Sequence, residues 1–407
     1  MRHSDASLDN CLKCSVCNSV CPVMTAHPAY PGPKHLGPEL ERFRREGLPC
    51  DHDGLEDCLG CERCDMACPN QVNVAELILA AKGRHKKPPP RRLRDALLAR
   101  PALLGRLFSL WPALSNRLLG WPLMKRLMAL TAGITARRSF PAYARPRLDR
   151  RPTPPAGDKR VTFFLGCSMR YNEPGLGEDC FALLDRNGFS VAVSPASCCG
   201  YPALANGQPA EARRRALANL ELLWPAAARG EAIVTACTTC GQLLKTGFSA
   251  QLGDDAALAE KARTVEAAVY DLGEFLMDLA ERDQLDRAFR PLPHGPLAYH
   301  APCHQTAQGL SRPWYHLLRQ VPGLEVADLD AGCCGMAGTF GFKQEKYDLS
   351  MAVGARLFQA IEGAAPEAVL SECPTCRMQI TQGSGRPARH PASLLREAYG
   401  QTPTATP

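Results

Sequence analysis

The chain reads as a multidomain α/β protein: a small helical, cysteine-rich N-terminal domain followed by two copies of one α/β domain. Three observations in the 407-residue sequence predict this. A four-cysteine run occurs twice within the first 70 residues. A set of five cysteines occurs twice beyond residue 160 at nearly constant offset. Short apolar runs rich in β-branched residues precede those later cysteines, with helical spacing between them.

The first run is Cys11-x2-Cys14-x2-Cys17-x3-Cys21-Pro22, and the second is Cys58-x2-Cys61-x2-Cys64-x3-Cys68-Pro69. In this bacterial-ferredoxin spacing three thiolates wrap one face of an iron–sulfur cubane, and the fourth serves the other cluster. One [4Fe–4S] centre is therefore assigned to Cys11, Cys14, Cys17 and Cys68, and a second to Cys58, Cys61, Cys64 and Cys21. Zinc also takes four thiolates, but a four-cysteine run with a trailing proline, twice over, is not a usual zinc spacing. The 47-residue offset between the runs leaves room for a helix over 37–46. That predicts a helical ferredoxin domain over 1–84 rather than the compact small ferredoxin, with a further helix over 72–81.

The five-cysteine set Cys167, Cys198-Cys199, Cys237-x2-Cys240 recurs as Cys303, Cys333-Cys334, Cys373-x2-Cys376, at offsets of 135 or 136 residues. Glycine follows each adjacent pair, at Gly200 and Gly335. Such a coincidence marks two copies of one Cys-Cys-Gly (CCG) domain, placed at 159–290 and 291–400. Strands are predicted at 161–165, 189–193 and 232–236, and again at 297–300, 325–329 and 368–371. Helices are predicted over 209–229, on the spacing of Leu217, Leu220 and Leu223-Trp224, and over 345–361. Strands alternating with helices imply a parallel sheet, whose ligands sit beyond the carboxyl ends of the strands. All ten cysteines fall there. Adjacent cysteines can bridge or bind neighbouring irons, so each set is read as a further iron–sulfur cluster, a zinc site or a redox-active dithiol. Buried structural thiols would not explain the repeat. His300 and His304 flank Cys303 and could tune a cluster or carry protons, or merely satisfy local hydrogen bonds. Cys50 and Cys180 have no counterparts and read as ordinary thiols.

The formal net charge of +7 conceals an asymmetry: residues 84–160 hold 19 basic and 3 acidic side chains, a net of +16. This segment, read as a basic amphipathic linker over 85–158, interleaves Leu97-Leu98, Leu103-Leu104, Leu107-Phe108, Leu110-Trp111, Leu118-Leu119, Trp121 and Leu127-Met128 with Arg100, Arg106, Arg117, Lys125 and Arg126. Apolar residues including Trp beside Arg and Lys describe a helix lying in a membrane surface, attracted to anionic lipid. The alternative is packing on the chain's own domains or on a partner. A basic patch also suits nucleic acid, but no nucleic-acid module accompanies it. No run of 18 apolar residues predicts a spanning helix, and the polar opening lacks a secretory core. Twenty cysteines in such a chain are expected to be reduced metal ligands. The expected location is therefore the cytoplasm, held peripherally at a membrane surface. No Gly-x-Gly-x-x-Gly follows a strand and no P-loop occurs, so two-electron chemistry is expected on a flavin-bearing partner.

Two ferredoxin runs followed by two CCG domains resemble one superfamily over almost the whole chain. It includes heterodisulfide reductase subunits and the iron–sulfur subunits of glycolate and lactate oxidation. The stretches Asn10–Cys14, Pro28–Lys34, Cys198–Gly207 and Cys333–Lys343 are most similar to the membrane-anchoring iron–sulfur subunit of anaerobic glycerol-3-phosphate dehydrogenases. That resemblance implies a non-catalytic component of a quinone-linked complex in anaerobic respiration. By that resemblance a flavoprotein oxidises glycerol 3-phosphate, and the iron–sulfur subunit passes the electrons to menaquinone and holds the complex on the cytoplasmic face of the inner membrane. In the heterodisulfide reductase relatives such five-cysteine sets can hold a non-cubane cluster, which implies one or two further clusters here. In the glycerol-phosphate enzymes the first set need not be complete; here both are, Cys237 and Cys376 included. Two other roles stay open, an iron–sulfur subunit of glycolate or lactate oxidation and a catalytic heterodisulfide-reductase-type subunit.

Overall fold

The computed structural model describes residues 7–152, 154–155, 159–196, 198–253 and 255–404; the polar opening at residues 1–5 lies outside them. Residues 7–84 fold as short helices without a strand. Each four-cysteine run carries a one-turn helix at the same place, Val16–Ser19 in the first and Arg63–Met66 in the second. The helix expected in the insertion is present, but its first turn, His35–Glu39, is π-helical before Leu40–Arg45 continues as α. Pro38 lies inside that turn, and a proline has no N–H to give the normal ladder, so the widened turn absorbs it. The helix expected over 72–81 spans Val74–Arg84. Leu8, Leu36, Leu55, Leu77 and Ile78 form the small core these pieces share.

The basic linker segment is helical. Its prolines start four helices, Pro89–Leu98, Pro101–Phe108, Pro112–Gly120 and Pro122–Ala132. At a first helical position proline is pre-set in φ, and its missing N–H is not needed. The first of the four is pinned through charge. Arg94 donates to both Glu345 oxygens at 2.9 and 2.8 Å, while Lys87 and Lys343 flank Asp95 at 2.8 and 3.1 Å. Further on, buried Arg138 donates to the Gly341 carbonyl at 3.0 Å, Gln382 at 2.9 Å and Ser350 at 3.1 Å. The segment thus crosses the second α/β copy before the chain enters the first. The helices Pro112–Gly120 and Pro122–Ala132 bury no residue at all.

The first copy has β1 (Arg160–Phe163), β2 (Ser190–Val193), β3 (Ala232–Thr235) and β4 (Val269–Asp271), in the order β2-β1-β3-β4. The second has β5 (Leu297–Tyr299), β6 (Val326–Asp328), β7 (Ala368–Leu370) and β8 (Ala388–Arg389), in the matching order β6-β5-β7-β8. All pairings are parallel. The six expected strands are present; β4 and β8 are additional edge strands. The expected helices appear as Pro209–Ala227 and Tyr347–Ala364. The copies join reciprocally. The helix Pro174–Arg186, after β1, packs on Pro391–Ala398, after β8, and Pro313–Leu318, after β5, packs on Leu272–Glu281, after β4. One core results, running through Phe163, Leu276, Trp314 and Leu370.

Candidate iron–sulfur centres

In the first ferredoxin run Lys13 and Ser15 take left-handed backbone, at φ 58° and 68°. The loop therefore curls around its own cysteines. Cys11, Cys14 and Cys17 line one cavity together with Cys68 from the second run. The Cys17 thiol is pushed up to about 11, by burial first and then by Cys11 and Cys14, with Cys68 adding to them. The second run repeats the curl at Gly60 and Glu62, φ 63° and 59°. Here burial pushes the Cys21 thiol up to about 12, and Cys61 and Cys58 oppose its ionisation too. Cys64 is raised by burial, Asp65, Cys61 and Cys58. The thiols thus fall into the two crossed groups that the run spacing predicts.

These groups fit iron–sulfur cores. Buried thiols that raise one another's pKa cannot all ionise in an apolar pocket unless a cationic centre neutralises them. Backbone donors stand ready for the resulting sulfurs: Gly60 N–H reaches Cys58 Sγ and Val72 N–H reaches Cys68 Sγ, each at 3.4 Å. Hydrogen bonds to ligand sulfur are among the factors that set cluster potential.

All five thiols of each α/β copy also come together. Each set gathers at the carboxyl ends of three neighbouring strands. In the first, Cys167 contacts Cys198, Cys198 contacts Cys199, and Cys240 joins Cys199 to Cys237. In the second, Cys303 contacts Cys333, Cys334 lies 3.2 Å from Cys376, and Cys376 holds the Cys373 thiol down to about 6 by hydrogen bonding. The glycine after each pair is obligatory. Gly200 and Gly335 have φ of 104° and 84°, and a Cβ at Gly335 would stand 2.1 Å from the Ser350 carbonyl. Cys180 lies in the apolar core of the first copy, and Cys50 lies partly buried against the ferredoxin core.

The two histidines separate. His300 comes within 4.8 Å of Cys334 and Cys376, with its buried Nε2 unpaired. The first copy has Phe164 at the matching position. His304 points away, bonding to the Gly60 carbonyl at 3.0 Å and to Thr239 at 2.9 Å. Three contacts were not foreseeable from spacing. Tyr201 donates its hydroxyl to the Gly60 carbonyl at 2.7 Å. Cys61 of the second ferredoxin run is in hydrogen-bond contact with Cys303 of the second set. Buried Arg377, next to Cys376 of the second set, pairs with Glu173 of the first copy at 2.6 Å.

Residues 7–72 match the 4Fe-4S dicluster domain, and residues 161–245 and 297–381 match the Cysteine-rich domain. The chain is 34% identical over 403 residues to the C subunit of anaerobic glycerol-3-phosphate dehydrogenase from Escherichia coli (strain K12), covering 97% of this chain and 99% of that one. It is 26% identical over 427 residues to the glycolate oxidase iron-sulfur subunit of the same organism, covering 97% and 95%. Among solved structures, a hypothetical protein from Helicobacter pylori shares the fold, with a TM-score of 0.52 over 99% of this chain and 73% of that one at 12% identity. This is an iron–sulfur protein, and it belongs to the family of anaerobic glycerol-3-phosphate dehydrogenase C subunits.

Proposed function

We propose that this chain relays electrons from a glycerol-3-phosphate-oxidising flavoprotein to membrane quinone. The observation that carries the reading is similarity to the glycerol-3-phosphate dehydrogenase relative along the full length of both chains. Cys11, Cys14, Cys17 and Cys68 would ligate one [4Fe–4S] cluster, and Cys58, Cys61, Cys64 and Cys21 the other. The sets Cys167, Cys198, Cys199, Cys237, Cys240 and Cys303, Cys333, Cys334, Cys373, Cys376 would hold further iron–sulfur clusters. When bound, these groups supply one-electron carriers, and the chain's residues position them and shield them from water.

Peripheral attachment to anionic lipid belongs to the same proposal. Among the described residues no helix is long and apolar enough to cross a membrane. Yet of 18 exposed large apolar residues, 12 lie between Leu93 and Leu130, among them Trp111, Trp121 and Leu130. Arg106, Arg117 and Arg126 are exposed beside them. Packing on the chain's own domains would have buried these side chains; a lipid surface accommodates both kinds. Failure to pellet with anionic vesicles at low salt would refute the attachment.

The test of the relay is anaerobic. The chain is isolated from its host's membranes with its accompanying subunits, then offered glycerol 3-phosphate, glycolate or lactate separately. Bleaching of cluster absorbance by glycerol 3-phosphate alone is expected. Bleaching by another donor alone would keep the chain a relay and overturn the substrate.

A further inference from the structure

The four thiol groups are not scattered over the molecule; they are strung between two different surfaces. At one end, Cys14 and its neighbours Leu12, Lys13 and Val16 are exposed, so the first ferredoxin centre borders solvent. The second ferredoxin centre is joined to the second five-cysteine set by the Cys61–Cys303 contact. That set faces the first one: His304, next to Cys303, meets Thr239, between Cys237 and Cys240, at 2.9 Å, and Arg377, next to Cys376, pairs with Glu173 of the first copy at 2.6 Å.

The first set has a roof of its own. Ala102 of the helix Pro101–Phe108 packs with Tyr171, Cys198, Cys167 and Tyr143 in one cluster. The helix sits very close: a Cβ at Gly105 would stand 2.4 Å from the Tyr171 ring. The chain returning from the basic segment ties the roof down. Asn116 bonds both ways with the Tyr143 backbone, at 2.9 and 2.7 Å, and Phe108 meets the Tyr143 ring at 5.1 Å. The same helix turns Leu103 and Leu107 outward, exposed, and Leu110 and Trp111 follow. The helix, about 10 Å across with its side chains, lies between this apolar outer surface and Cys167 and Cys198.

We propose that electrons traverse the chain in one order, from the ferredoxin centres to the second five-cysteine set and then the first, and leave from the first set to a lipid-soluble quinone arriving beside the helix Pro101–Phe108. This rests on the relay and lipid reading above and adds the exit site. Clusters held by these cysteines would supply two electrons one at a time, and with two protons from water these convert quinone to quinol. The two five-cysteine sets are therefore not equivalent copies: the second receives, and the first delivers.

The test uses a naphthoquinone carrying an azide photolabel, applied to the full holo chain on anionic vesicles and, separately, in vesicle-free buffer. Labelled peptides are mapped by mass spectrometry. Label on residues 101–111, Tyr143 or Tyr171 is expected. Label confined to the loop 11–17 or to the surroundings of Cys303 would overturn the proposal. Label at the expected site in buffer from a chain that does not pellet with vesicles would uphold the exit while refuting lipid attachment. In parallel, the clusters of a Cys167→Ser chain are reduced and then exposed to vesicle-borne naphthoquinone. Ferredoxin-type electron-paramagnetic signals are expected to form normally but to lose their reoxidation by quinone. Reoxidation at the wild-type rate would overturn the proposal, and the labelling result stands alone if this variant fails to assemble.

Discussion

Residues 12–16 and 59–63 are the same loop, 47 positions apart, with the same left-handed residues at its second and fourth places. Their surroundings differ. Leu12 is 75% exposed and Leu59 is 6% exposed. The Gly60 carbonyl is taken by Tyr201 of one α/β copy and His304 of the other, and Gln242 donates to Glu62 at 2.6 Å. Among the described residues no such wall stands over Lys13, which is exposed. Local sequence therefore builds the cluster cradle, and the domains docked on it decide whether the cradle faces outward or inward.

The largest expected difference is in the cysteines themselves. Cys14→Ser is expected to lose iron from one centre only. Cys61→Ser is expected to lose iron from its own centre and to disturb the neighbouring set, whose Cys303 it touches. Iron and sulfide per chain after anaerobic isolation measure this; equal losses would break the comparison. Next comes the backbone. At Gly60 a Cβ would meet the Tyr201 hydroxyl at 2.5 Å in a left-handed conformation. Gly60→Val should cost on the order of 3–5 kcal/mol from strain and overpacking together. Lys13→Val carries only the backbone penalty, about 1–2 kcal/mol. The holo chain's thermal midpoint under anaerobic conditions separates the two, and similar shifts would mean that the second loop is not walled.

Side-chain burial gives a smaller contrast of the same sign. Leu59→Ala is expected to cost about 2–3 kcal/mol through the cavity it leaves, and Leu12→Ala to stay within about 0.5 kcal/mol. A denaturant midpoint shifted equally by both would contradict the burial difference.

Much of this molecule was legible in its sequence, for identifiable reasons. The cysteine runs reveal the cradles because cluster geometry dictates thiolate spacing over a few residues. The 135–136 offset reveals the duplication, and the strands are readable because each ends just before a cysteine. The edge strands β4 and β8 escaped because no cysteine follows them to mark their ends. The proline-rich stretch looked like a linker because proline breaks helix interiors; here Pro89, Pro101, Pro112 and Pro122 each open a helix, where proline favours it. What covers the second cradle could not be read at all. Tyr201 and His304 lie 141 and 244 residues from Gly60, and no local pattern encodes so distant a contact.

The smallest expected effect is also the most specific. Tyr201→Phe removes one hydrogen bond to the Gly60 carbonyl but leaves the bond from His304 Nε2, so the buried oxygen remains satisfied. The cost should be about 1 kcal/mol or less. His304→Ala alone leaves Tyr201 in place and should likewise spare the carbonyl. Together the two changes orphan a buried backbone oxygen, which adds about 1–3 kcal/mol beyond the sum of the single variants. A double-mutant cycle on the holo chain measures that excess. If the costs add, the carbonyl finds water when either donor leaves, and the second cradle is wetter than its burial implies. If they exceed the sum, one carbonyl oxygen is shared by both α/β copies, and the ferredoxin loop is clamped where its centre meets the second five-cysteine set.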